Sequence, residues 1–231
     1  MKESGFDAFA QSYDSEHRRS IAFSGCEPSY FARYKVEIAA SCFRSLCGEC
    51  ETLLDFGCGP GTSIPYFRMA LASARILAAD ISRLSLMEAE ARHGPAASYL
   101  PIEGSSLEIE DGEVGLGFAA CVFHHIPPAE HQAWLKELRR VIKPGGGLII
   151  FEHNQLNPLT RHAVANCAFD HDAILLRAGT LRRSLEDAGW RVLRIRYHVF
   201  FPQVLKALRA IEPALGRIPL GGQYSVLSIK A

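Results

Sequence analysis

The segment Asp55-Phe56-Gly57-Cys58-Gly59-Pro60-Gly61 constrains this chain more than any other. Glu51 to Phe56, just before the glycines, reads as a short buried strand, and a helix is expected after them. Glycines spaced this closely allow a sharp turn and let a ligand approach the backbone at the carboxyl end of the strand. That end of an open α/β sheet is where ligands bind. A glycine cluster alone also fits a plain tight turn.

The surrounding pattern alternates strands with helices. Strands are expected at Arg75–Asp80, Ala97–Ile102, Leu116–Phe123 and Gly147–Glu152, with helices at Arg83–His93 and Trp134–Ile142. Pro144-Gly145-Gly146-Gly147 reads as the turn before the last of these strands. Upstream, Phe31, Tyr34, Ile38 and Cys42 form an apolar stripe on a helix from Tyr30 to Leu46. The tail reads as a helix at Thr180–Ala188, a strand at Trp190–Phe200, a helix to about Arg217 and a final strand at Tyr224–Lys230. The expected fold is α/β: a Rossmann-like, open, mostly parallel sheet with helices on both faces. An antiparallel strand near the C-terminus and a helical N-terminal cap complete it. The expected layout is one domain over 1–231, with a cap or lid at 1–50, a cofactor-binding core at 51–155 and an acceptor-side part at 156–231.

Composition narrows the class. With 231 residues the chain can bury a full core, and no apolar run reaches membrane-spanning length. The 25 Lys+Arg balance 25 Asp+Glu, which argues against nucleic acid as a partner. Met1 to Asp7 carries an acid and no apolar stretch, so the expected location is cytoplasmic. Seven unevenly spaced cysteines imply free thiols. Cys47-Gly48-Glu49-Cys50 lacks a second pair to complete a zinc site, and no metal ligands are expected.

Two acids sharpen the reading of the glycine loop. Asp80 ends the next strand, where a carboxylate accepts hydrogen bonds from ribose hydroxyls. Asp55 directly precedes the loop, where it would repel a pyrophosphate and attract an ammonium or sulfonium. That sign favours S-adenosylmethionine over NAD, although an NAD-dependent oxidoreductase stays open as a minor alternative. Leu53 to Thr62, Ala79-Asp80-Ile81-Ser82, Cys121 to Pro127 and Leu138 to Gly146 together resemble the motifs of the class I S-adenosylmethionine-dependent methyltransferases, small-molecule branch. The resemblance implies S-adenosylmethionine as donor, S-adenosylhomocysteine as product and a small-molecule acceptor. It implies that Asp55, Gly57, Cys58, Gly59 and Gly61 hold the methionine end, that Asp80 and Ile81 hold the ribose, and that Ala120 lies at the donor. Glu103, with Gly104, takes the place of the acid that reads the adenine amino group. Val114-Gly115 stands where the family has Phe-Asp. Phe9 to Asp14 resembles an amino-terminal lid in which Tyr13 closes over the donor.

Methyl transfer needs chiefly position, and a base only when the acceptor must lose a proton. His124 and His125, after the fourth strand, and His153, after the fifth, are the candidates, since histidine titrates near neutrality. The plainer readings are a positioning hydrogen bond for the first pair, and a helix cap and turn on Asn157-Pro158 for the region after His153. His17, Arg18, Tyr30 and Arg33 are candidate acceptor-pocket residues. Val204 to Ile211 is a basic amphipathic segment that would touch a membrane or pack one face on the sheet, giving 200–217 as a candidate membrane contact. Two functional alternatives remain: a non-methylating rearrangement or elimination on the same donor, and a non-catalytic binding protein. Acceptor identity and assembly state are not legible.

Overall fold

The computed structural model describes residue 7, residues 13–48 and residues 51–231. The N-terminal cap contains α1 (Tyr13–Ser20) and α2 (Pro28–Cys47). There follow β1 (Thr52–Phe56), α3 (Ile64–Ala70), β2 (Arg75–Asp80), α4 (Arg83–His93), β3 (Ser98–Pro101) and β4 (Val114–Ala120). Next come α5 (His131–Val141), β5 (Ile142–His153), α6 (Pro158–Ala165), α7 (Ala178–Asp187) and β6 (Arg191–His198). A 3₁₀ segment (Gln203–Ile211), α8 (Glu212–Leu215) and β7 (Gln223–Ile229) close the chain.

The strands form one seven-stranded sheet in the order β3-β2-β1-β4-β5-β7-β6. The first five strands pair in parallel, and β7 inserts antiparallel between β5 and β6. Strand order reverses at the β1–β4 neighbours, so the crevice for a ligand opens above their carboxyl ends. The five residues of β1 are all buried, as a strand covered on both faces requires. One face carries Phe56, Trp134, Leu138, Leu181 and Trp190, and the other carries Phe43, Leu53, Phe67, Phe118 and Phe151.

Three sequence expectations are corrected. β4 ends at Ala120 instead of Phe123, because Cys121 turns into the left-handed region at φ 61° and a 3₁₀ turn over Phe123–His125 follows. The glycines at 145–147 do not form a free turn. They lie within β5 as a bulge, where pairing jumps from Val114–Ile142 to Leu116–Gly147, the Gly145 N–H donates to the Lys230 carbonyl and the Gly146 carbonyl accepts the Lys230 N–H. A side chain at Gly146 would stand 2.7 Å from the Gly115 carbonyl, so only glycine permits this approach. The helix expected to Arg217 is instead a 3₁₀ segment kinked at Leu205, followed by the short α8, with Pro213 removing a backbone donor at the junction.

Leu181 is fully buried between α5 and the sheet. Leu181→Ala is expected to cost about 2–5 kcal/mol, read as a lower urea midpoint at unchanged m-value.

Candidate functional site

The carboxyl ends of β1, β2, β4 and β5, with α1, α2, α6 and the loop around Asp170, enclose a single cavity of about 980 Å³ counting its open mouth. Its two walls differ in chemistry.

On one wall lie Phe56, Gly57, Gly59, Asp80, Ile81, Ile102, Ala120 and Val122. The Gly57 and Cys58 N–H groups both donate to the Ala79 carbonyl, at 2.8 and 3.1 Å, which ties the glycine loop to β2. Gly57 sits at φ 75°, and a Cβ there would come within 2.5 Å of Val122, so this position admits no side chain. The buried Asp80 carboxylate accepts the Gly59 N–H at 2.7 Å and the Ser82 N–H at 2.8 Å. Asp55 is buried beside the loop, and its Oδ2 has no hydrogen-bond partner. Burial, reinforced by Asp80 and opposed by Lys35, pushes the Asp55 carboxyl up to about 7.

Not every residue expected at the donor reaches the cavity. Asp55 and Cys58 are buried behind the cavity lining, and Gly61 packs against Ile64, Ala89 and His93. Glu103 and Gly104 are exposed and outside the cavity wall, because the Glu103 carboxylate is drawn into an ion pair with Arg83 at the start of α4. Tyr13 begins α1, but its side chain lies outside the described residues, as do residues 8–12 of the expected lid and Cys50. Asp7 is described, and it accepts the Ser82 hydroxyl at 2.6 Å, joining the chain's start to the turn after β2.

The opposite wall is lined by His17, Lys35, Cys121, His124, His125, His153, Asp170 and Gln223, with apolar Ala163, Val164 and Phe169 between them. His124 is fully buried, and its Nδ1 meets Glu152 Oε2 at 2.6 Å. Its Nε2 makes no hydrogen bond and stands 3.4 Å from Asp170 Oδ1. Burial opposes its charge, yet Glu152 and Asp170 together hold its pKa well above the ordinary histidine range. His125 Nε2 stands 3.3 Å from the same Asp170 oxygen. There burial, aided by the charge on His124, outweighs Asp170 and leaves the ring below its usual pKa. Burial, with Lys35 and His153 adding to it, brings His17 down to about 4, so it is neutral.

A second group is centred on Cys121. Lys35 Nζ lies 3.3 Å from its sulfur, and His153 is a further hydrogen-bonding neighbour. Burial alone would raise this thiol, but Lys35 and His153 outweigh it and bring it down to about 7. In return the Cys121 sulfur holds His153 above its usual value against the effect of burial. Gln223 completes the group, accepting the Tyr34 hydroxyl and reaching Cys121 at 3.9 Å.

The fold therefore unites His124, His125 and His153, as the sequence expected of neighbouring strand ends. The ring centroids of His124 lie 4.1 Å from His125 and 5.1 Å from His153. It brings in His17 but leaves Arg18, Tyr30 and Arg33 outside: Arg18 pairs with Glu27, Arg33 with Glu37, and Tyr30 packs under Arg209. Asn157 caps α6 by accepting the Thr160 N–H, the plainer role considered for that stretch. Sequence reasoning missed Lys35, Cys121 as a site residue, and Asp170. Lys35 had a signal, since it falls on the apolar stripe of Phe31, Ile38 and Cys42. Asp170 had none. Among the described residues, His124, His125 and Asp170 are also close enough to share a metal ion, their donor atoms lying within 4.8 Å of one another. Glu152 and Asp170 favour the protonated His124 ring, which in that form has no lone pair to offer a metal.

Comparison with known proteins gives a matching domain and a shared fold. Residues 53–146 match the methyltransferase domain family. The chain is 36% identical over 109 residues to a probable methyltransferase, ltbC, of Aspergillus luteorubrus, covering 42% of this chain and 38% of that one. It is 30% identical over 135 residues to an uncharacterized 37.1 kDa protein in a transposon of Streptomyces fradiae, covering 54% and 39%. The chain thus spans about two fifths of the length of the curated relatives it matches. Its fold is similar to a solved S-adenosylmethionine-dependent methyltransferase of Thermotoga maritima, described as a possible histamine N-methyltransferase, with a TM-score of 0.69, 17% identity and 99% of both chains covered. Residues 53–146 thus match a methyltransferase domain, and the chain as a whole shares the fold of solved S-adenosylmethionine-dependent methyltransferases. Among the described residues, no helix is long and apolar enough to cross a membrane.

The Cys121 thiol is expected to react with iodoacetamide along a pH profile with its midpoint near 7. Lys35→Met should move that midpoint upward by at least about one unit, toward or beyond the ordinary thiol range.

Proposed function

We propose that this chain transfers the methyl group of S-adenosylmethionine to O, N or C of a small-molecule acceptor. The observation that carries the reading is the single cavity with a glycine-loop wall on one side and a buried histidine–carboxylate wall on the other. The orphaned Asp55 oxygen fits the ammonium of the donor's methionine end, and Asp80, facing the cavity, fits ribose hydroxyls. Gly57 and Gly59 would shape the approach to the donor, with Ile81, Ile102 and Ala120 lining its apolar side. Glu103 has no part in this reading while Arg83 holds it outside.

When bound, the donor supplies a sulfonium-activated methyl group for in-line displacement. The chain's task is to hold the acceptor in line and to take a proton where the acceptor carries one. His125 is assigned that role: one ring nitrogen is oriented by Asp170 and the ring is neutral at neutral pH, the arrangement of a base held by a carboxylate. His124, charged and enclosed by Glu152 and Asp170, positions the loop. His153 and Lys35 set the polarity on the acceptor side.

A screen of small hydroxylated, amine and carbon-acid acceptors with labelled donor tests the reaction. An acceptor that gains one methyl group supports it, whereas an acceptor transformed without methyl gain, with the donor intact, replaces it by a rearrangement or elimination. No calorimetric affinity for donor or S-adenosylhomocysteine would leave a non-catalytic binding protein. On the true acceptor, His125→Ala is expected to lower kcat/KM by roughly 10²–10⁴, with His153→Ala also impaired. Since the Asp170 contact raises the His125 pKa, Asp170→Asn should move the acid limb of the kcat/KM profile to lower pH.

Donor affinity is expected to fall as the pH drops below about 7, because a protonated Asp55 no longer attracts the ammonium. Calorimetry should show proton release on binding in that range. Asp55→Asn should abolish this pH dependence and weaken binding at least about tenfold above neutrality.

A further inference from the structure

The segment from Gln203 to Leu220 has the wrong side facing water. It is strongly amphipathic in sequence, yet neither its 3₁₀ part nor α8 buries a single residue. Val204 is 87% exposed and Leu220 63% exposed, and Leu205, Leu208, Ile211 and Ile218 are exposed with them. These six are nearly half of the thirteen large apolar side chains exposed among the described residues, within a stretch of under twenty residues. Leu156 and Leu159 are also exposed, beside the Asn157 side chain that donates to the Leu220 carbonyl at 2.7 Å. The patch thus continues onto the start of α6. Packing on the sheet, the alternative for such a segment, does not occur here.

Charge says what covers it. From Arg191 to the C-terminus the chain carries Arg191, Arg194, Arg196, Lys206, Arg209, Arg217 and Lys230 against one acid, Glu212. Glu212 is turned to the backbone, where its carboxylate accepts the Phe200 and Phe201 N–H groups, each at 3.1 Å. Lys206 and Arg217 are exposed among the apolar side chains, and Arg196 runs alongside Gly216. Arg209 packs over the Tyr30 ring at 4.3 Å and pins the segment to the cap. Asn154 and Asn157 pin its far end through the carbonyls of Pro219, Leu220 and Gly221. The apolar side is therefore held outward by contacts at both ends.

Exposed aliphatic side chains studded with cations, with no outward acid, match an anionic bilayer surface: the chains enter the acyl boundary and the cations meet the lipid phosphates. The core of a protein interface is depleted of charge, whereas here Lys206 and Arg217 stand among the apolar side chains. We propose that residues 203–220, with Leu156 and Leu159, are a docking surface for an anionic membrane. This surface lies outside both walls of the cavity and does not depend on the assigned reaction.

The test is co-sedimentation of the full chain with vesicles of phosphatidylglycerol and phosphatidylcholine, and with phosphatidylcholine alone, at low and high salt. The chain should pellet with the anionic vesicles, less with the neutral ones and less at high salt, and stay in solution without vesicles. The double variants V204D/L208D and K206E/R217E should each lower the partition coefficient at least about tenfold while keeping the wild-type melting temperature and donor affinity. Wild type remaining in the supernatant, or variants pelleting like wild type, overturns the proposal. So does a wild-type dimer that V204D/L208D converts to a monomer, since the patch would then be an interface between copies. Donor affinity is read separately, so a failed membrane test leaves the methyl-transfer reading intact.

Discussion

The Glu152 carboxylate, fully buried at the end of β5, organises the histidine wall of the cavity. It accepts the Val122 N–H at 3.2 Å, the Phe123 N–H at 2.8 Å and the His124 Nδ1–H at 2.6 Å. A buried carboxylate is tolerated only when its oxygens are satisfied, and these three donors supply that. In return, Glu152 fixes the turn after β4 that carries Cys121, His124 and His125. The loop bearing Asp170 then docks on the same turn, its Ile174 N–H donating to the His124 carbonyl at 2.8 Å.

The buried charges balance by wall. Behind the glycine-loop wall, the buried Asp55 feels the charge of Asp80 and, against it, that of Lys35, and burial drives it toward its protonated form. That imbalance suits a cationic ligand. On the other wall, His124 sits between Glu152 and Asp170, and Lys35 sits at Cys121, so each buried charge has a partner. Lys35, reaching from α2, contacts Cys121 and acts on Asp55 through its charge, so the cap contributes to the cavity wall.

Much of the fold was readable because its signals are local. Arg75–Asp80 and Arg83–His93 coincide with β2 and α4, since an apolar run and a helix stopped by Gly94-Pro95 contain their own boundaries. The misreadings share one cause. β4 stops early because Cys121 takes a left-handed conformation between its bond to the Phe151 carbonyl and the Glu152 anchor of the next two N–H groups, and neither partner is near it in sequence. The glycines at 145–147 become a bulge because Lys230 pairs with them. The amphipathic segment near 203 turns outward because Tyr30 and Asn157 hold its ends.

The sequence by itself determined the parallel α/β core, the glycine loop with Asp55 and Asp80, and the placing of three histidines at strand ends, because each follows from residues close together in the chain. Only the tertiary structure decided the charges and partners of those histidines. Asp170, Lys35 and Glu152 reach the cavity from separate elements, and burial multiplies the effect of each on its neighbour. Protonation in such a cluster depends on three-dimensional distance and lost solvent, and linear spacing encodes neither.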